Sequence, residues 1–304
     1  MAETPELEAA SSTARASEIR GIGLLMLALF FFAALDASSK YLAQTFSVPL
    51  LIWVRYSVHC LLMLIFLGPS MGRRLVNARQ PAYQILRALM LLCCTGFGVT
   101  AYSLMPLGET TAIAFVSPLI VALLAGPWLG EKLTGGRWLA IGFGLLGVLL
   151  IARPGGATNP EGIACALGAA FCLAVYQLLT RQLSAGENTL TMLFYTALVG
   201  ALTMSLALPW IWGGPSPSAF EALLMVALGI FGGTGHWLLI RALRRAPASL
   251  LAPFMYLQVV WASLLGASIF GHWPDQFALA GMAVVIGSGL FLAWSTRRDQ
   301  RARG

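Results

Sequence analysis

Apolar residues arrive along this chain in ten runs separated by short polar breaks, at 21–41, 49–68, 84–103, 109–129, 137–152, 162–181, 189–210, 220–240, 250–270 and 277–295. Each has about the 20 residues that carry an α-helix across a hydrocarbon core of ~30 Å at 1.5 Å per residue. The breaks leave no room for a soluble domain, so successive helices are expected to be antiparallel neighbours. The pattern predicts an all-α membrane protein with ten transmembrane helices, a polar tail over 1–18 and a basic tail over 297–304. The first run is longer than the apolar part of a secretion signal and lacks a small-x-small cleavage site, so no cleaved signal peptide is expected.

Charge supplies the orientation. Of nineteen Lys and Arg residues, fifteen fall at one set of alternate helix ends, two (Lys40 and Arg153) at the other, and Arg55 and Arg87 inside runs. The positive-inside rule then places both termini in the cytoplasm of a bacterial-type inner membrane. The net charge of +7 is thereby an orientation device and gives no footprint for nucleic acid. Composition agrees: 58% of residues are hydrophobic and 10% charged, against about 45–50% and 25% in soluble domains. The five cysteines all lie in apolar runs without CxxC spacing and read as small buried hydrophobes.

Set against itself at an offset of 141 residues, the chain repeats. Gly21-Ile22 meets Gly162-Ile163, Phe30 meets Phe171, Ser39-Lys40 meets Thr180-Arg181, Pro106 meets Pro247, Phe115 meets Tyr256 and Gly130 meets Gly271. The first repeat covers 19–154 and the second 160–296, with five helices in each. An odd number of spans inverts the second repeat relative to the first. Inverted repeats are the signature of alternating-access carriers, with a solute site near the midplane between the halves.

The chain resembles the drug/metabolite transporter superfamily in its EamA-like ten-helix branch. The resemblance rests on Trp53-Val54-Arg55-Tyr56, the run from Ala101 to Pro118, Gly130-Glu131-Lys132-Leu133-Thr134, and Arg241-Ala242-Leu243 through Pro253. The second half carries Gly271-His272 where the first has Gly130-Glu131. The resemblance implies secondary transport, commonly export, of amino acids or related small metabolites, with aromatic and other apolar amino acids among the cargoes of similar members.

Charges inside a bilayer are costly and need a partner or a cavity. Asp36 is the acid lying well inside a run, Lys40 follows on the same helix face, and Arg55 sits at similar depth in the second run. An Asp36–Lys40–Arg55 cluster is either a structural ion pair or a gate and carboxylate-binding group. His59 lies one turn deeper than Arg55 and reads either as a helix–helix hydrogen-bonding group or as a contact for solute or proton. Tyr56, Tyr102, Tyr176, Gln177, Tyr256, Gln258 and Trp261 also lie within the runs. Amphipathic aromatics within the membrane suit a cavity for a partly apolar solute, and equally suit helix packing. Gly142, Gly144, Gly147, Gly281, Gly287 and Gly289 form small-residue faces for close helix packing or homodimerisation, so the chain is expected as monomer or homodimer.

Other classes fit less well. Three scattered Asp and three His assemble no metal or diphosphate site, and there is no HExxH, GxSxG or GxxxxGK[ST]. The chain is therefore not expected to be an enzyme or to need a cofactor. A channel would call for a filter-like run or ring, which the sequence lacks. The expected partners are a small-molecule substrate and the lipid bilayer.

Overall fold

The computed structural model describes residues 4–129, 135–152, 159–183, 186–211, 213–246 and 251–301. The Gly130–Thr134 motif, Arg153 and Pro247 lie outside them. Among the described residues every regular element is helical: α1 (Thr4–Leu42), α2 (Val48–Met71), α3 (Pro81–Leu104), α4 (Leu107–Ala114), α5 (Ser117–Leu129), α6 (Gly135–Ile151), α7 (Pro160–Leu183), α8 (Thr189–Ile211), α9 (Ala219–Leu243), α10 (Leu257–Phe270) and α11 (Gln276–Arg301), with 3-10 turns at Gly72–Leu75 and Ala252–Tyr256. Eight helical segments are long and apolar enough to cross a membrane, and two shorter apolar ones, Trp138–Ile151 and Phe254–Phe270, stand where the fifth and ninth runs were expected.

The outer surface is one that water would not tolerate. Phe66 is 73% and Leu206 76% exposed, which is favourable only if lipid covers them. Trp210 and Trp273, at helix ends, are more than three-quarters exposed, as in an interfacial belt.

Helix pairing follows an exchange rule. Helix α3 lies along α7 and α1 along α9, α3 touches α8 as α2 touches α9, and α1 meets α10 as α4 and α5 meet α7. Three pairs map onto themselves: α2 with α8, α6 with α11, and α4 with α10. These pairs are exchanged among themselves when the first half is swapped for the second, whereas the contacts of α3 with α1 and α2 have no counterpart of similar extent.

The fourth run is expected as one helix, 109–129, but it breaks. Pro118 has no N–H to continue the ladder. The chain tightens instead, with Val116 N–H donating to the Ile113 carbonyl at 3.0 Å, and α5 restarts at Ser117. The run 250–270 likewise holds a 3-10 turn, Ala252–Tyr256, before α10. Phe115 and Tyr256, which the sequence offset pairs, meet at these two breaks with ring centroids 5.4 Å apart. Helix α10 ends at Gly271, whose φ of +70° is the left-handed cap that favours glycine.

The small-residue faces of α6 and α11 pack within the molecule. A Cβ at Gly147 would stand 2.7 Å from Val285 Cγ2 and 2.9 Å from the Gly281 carbonyl. Gly144 and Gly289 are closed off by Leu119 and Tyr256, whereas Gly142 and Gly287 face open space. Gly147→Val is expected to destabilise the protein by about 1–3 kcal/mol through overpacking, read as a lower unfolding temperature in detergent. An unchanged midpoint would mean that α6 and α11 are free to separate.

Candidate functional site

Four helices bring polar groups together around Asp36. Helix α1 presents its carboxylate, which accepts from Gln258 Nε2 of α10 at 3.1 Å. It also accepts from the Tyr102 hydroxyl at the end of α3, and it lies in the field of Arg55 from α2. Asp36, Arg55, Tyr102 and Gln258 are each partly buried where α1, α2, α3 and α10 come together. One turn beyond Gln258, Trp261 stands edge-on to Phe30 at 5.4 Å. Its indole N–H is buried and has no hydrogen-bond partner among the described residues, leaving a donor ready for an acceptor.

Lys40 does not complete the expected triad with Asp36 and Arg55. Its ammonium donates to the carbonyls of Tyr102 and Met105, both at 2.6 Å. It also lies over the Phe270 ring at 5.4 Å and near Glu109 of α4. The physical reason is the helix terminus: the last carbonyls of α3 have no intrahelical donor and carry the negative end of its dipole. They compete successfully for a cation that spacing alone assigns to Asp36. Glu109 itself is buried, so Asp36 is not the lone acid inside the bundle.

The other expected site residues are dispersed through the bundle. Tyr56 is packed between helices: its hydroxyl shares a hydrogen bond with Thr95 Oγ1 at 2.9 Å, and its ring lies against Gly200. Arg55 reaches back over that ring at 5.7 Å. His59 is buried and lies parallel to His236 of α9, with centroids 6.3 Å apart and planes 8° apart. His236 in turn rests edge-on against Phe32 at 5.0 Å. Tyr256 lines the helix break, and Gln177 is half-buried on α7 beside Tyr176.

Tyr176 belongs to a second polar centre that sequence reasoning missed. Arg87 of α3 is 2% exposed. Its Nε donates to Thr180 Oγ1 at 2.7 Å, and one terminal nitrogen donates to the Met192 carbonyl at 2.9 Å and to Thr196 Oγ1 at 3.1 Å. The other donates to the Tyr176 hydroxyl at 2.7 Å. A signal existed: an arginine inside an apolar run must be satisfied by neighbours. Which threonines meet it depends on helix rotation, which a sequence does not display. Among the described residues no group of His, Cys, Asp or Glu could hold a metal ion.

Apolar helices with a lipid-facing exterior around a polar cluster define a multi-pass membrane protein. The EamA-like transporter family matches the chain twice, over residues 19–153 and 160–294. The chain belongs to this family, whose members are transporters and not enzymes. It is 29% identical to the S-adenosylmethionine uptake transporter of Rickettsia bellii over 91% of this chain and 94% of that protein. It is 26% identical to the riboflavin transporter of Vibrio cholerae, over 94% and 97%, and 26% identical to the pseudopaline exporter of Pseudomonas aeruginosa, over 88% and 93%. In fold it is similar to a solved crystal structure, with a TM-score of 0.63 at 23% identity over 94% of this chain and 98% of that one.

Proposed function

We propose that this membrane transporter moves small amino-acid-like metabolites, with aromatic or apolar ones favoured, by alternating access across a bacterial inner membrane. In this reading ten spans form two inverted five-helix repeats, 19–154 and 160–296, with both termini in the cytoplasm. The reciprocal pairs, α1–α9 with α3–α7 and α2–α9 with α3–α8, support the repeat, as does the meeting of Phe115 with Tyr256 at the two helix breaks. The charge asymmetry supports the orientation.

One observation carries the substrate reading: Asp36 lies in the field of Arg55, and one turn beyond its partner Gln258 the buried Trp261 indole N–H has no partner among the described residues. A zwitterion fits this set. Its ammonium faces Asp36, its carboxylate faces Arg55 and the Trp261 donor, and its apolar part lies against Phe30, Tyr102 and Tyr256. S-adenosylmethionine and riboflavin, named for two relatives, are both bulky ring-bearing molecules, which agrees with aromatic walls. Export is the direction the resemblance implies. By name the relatives include both an uptake protein and an exporter, as expected when gradients rather than the fold set direction.

The test is counterflow in proteoliposomes loaded with unlabelled amino acids and offered a labelled aromatic one. Saturable uptake is expected in the parent protein. Arg55→Ala and Trp261→Ala are each expected to lower it about tenfold or more, the equivalent of about 1.4 kcal/mol. Parent-like uptake by both variants, correctly folded, would sink this site assignment.

A further inference from the structure

We propose that Arg87 and Gln84 form the latch of the passage at the end of the bundle that carries the chain termini, with Arg87 holding it shut and Gln84 lining it when it opens. The inference rests on the alternating-access reading above and adds its gate.

Arg87 acts between the two matched segments. It belongs to the first, while Thr180, Tyr176, Thr196 and the Met192 carbonyl that accept from it all belong to the second. Its guanidinium also lies over the Tyr176 ring at 4.5 Å. A planar fork with several fixed donors can join two helices at once, which a lysine point charge cannot. Arg87 lies six residues into α3 from Pro81, about 9 Å from its start. Four more hydrogen bonds tie the two halves at this same end, while Trp53 Nε1 donates to Ser205 Oγ at 2.9 Å toward the other. Ser17 Oγ donates to the Arg245 carbonyl at 3.1 Å and the Gln80 N–H to Glu187 at 2.9 Å. Thr191 donates to the Arg74 carbonyl at 3.0 Å and Tyr195 to the Val76 carbonyl at 2.9 Å. These bonds hold the two halves together at the end that carries the termini.

Gln84 stands three residues before Arg87, hence on the same face of α3 and nearer that end. It is 0% exposed, and neither its amide oxygen nor its amide nitrogen has a hydrogen-bond partner among the described residues. A buried, unmet amide weakens the state that buries it. Opening this end gives the amide water or solute to bond. Arg87 thus favours closure and Gln84 favours opening. Opposed contributions keep the two states near in energy, so that solute binding can shift between them. Arg87 is a positioning residue in this scheme, since it also fixes the hydroxyl of Tyr176.

The experiment uses the full chain with its five native cysteines replaced by serine and one cysteine introduced by Gln84→Cys. A membrane-impermeant maleimide reaches it from the side of the termini. Labelling is expected to be slow with Arg87 present and at least tenfold faster with Arg87→Met. Thr196→Val and Tyr176→Phe, which keep the charge, are expected to give intermediate rates, and they carry the test if Arg87→Met does not fold. A second reporter, Leu228→Cys, sits 1% exposed in a separate core cluster, and its labelling is expected to stay unchanged. Equal Gln84→Cys labelling with the latch intact or broken overturns the latch, and so does a parallel rise at Leu228→Cys. Counterflow by the parent protein reports separately on the carrier reading: its absence, with latch-dependent labelling intact, would defeat the carrier and leave the latch standing.

Discussion

Lys40→Met is expected to leave little folded protein. Lys40 is 7% exposed and donates two hydrogen bonds of 2.6 Å to the carbonyls that close α3. Hydrogen bonds from a charged donor are worth about 1.5–3 kcal/mol each. Removing one member of a buried charged set costs about 3–5 kcal/mol, because the groups left behind stay desolvated. Methionine would fill the space and leave two orphan carbonyls, and it would remove the cation near Glu109. That loss is a large part of a typical stability of 5–15 kcal/mol. The measurement is the monodisperse fraction in size-exclusion chromatography, followed by the unfolding midpoint in detergent. Lys40→Arg, which keeps the charge, is expected to recover most of the folded fraction. A midpoint for Lys40→Met within a few degrees of the parent would show that these bonds hold nothing together.

Asp36→Asn is expected to fold and to lose transport by about a hundredfold, the equivalent of about 2.7 kcal/mol of solute binding across the cycle. The exchange is nearly isosteric. Its oxygen still accepts from Gln258 or Tyr102, so the packing of α1 against α10 and α3 survives. What disappears is the negative charge opposite Arg55, and with it the attraction for a solute ammonium. The loss should therefore depend on the solute: large for a zwitterion, small for an analogue without the amine. Equal losses for both would assign Asp36 to conformational switching. No loss for either would reduce it to a structural ion.

Much of the fold was legible in the sequence because a bilayer punishes polar backbone everywhere. The runs had to be helices, and their length had to match the membrane. Phe115 and Tyr256 were already paired by the repeat offset, whereas the break before Pro118 was not expected in a run read as one helix, 109–129. Arg55 and Asp36 could be matched by depth, which needs only counting along two antiparallel helices.

Partner choice was not legible. Lys40 follows Asp36 by one helical turn, yet it binds the end of α3, because buried helix C-terminal carbonyls without intrahelical donors outbid a carboxylate already served by Gln258 and Tyr102. Arg87 could be seen as an anomaly but not as a junction of α3, α7 and α8, since its acceptors lie about 90–110 positions away. Tyr56, expected at a cavity, spends its hydroxyl on Thr95 and its ring on Gly200. The amino-acid sequence by itself determined the membrane, the helices and the inventory of charges, since each is fixed by local composition against a slab of fixed thickness. The tertiary structure decided which charges meet, because that depends on how each helix is rotated about its axis, and rotation is set by packing against neighbours distant in the chain.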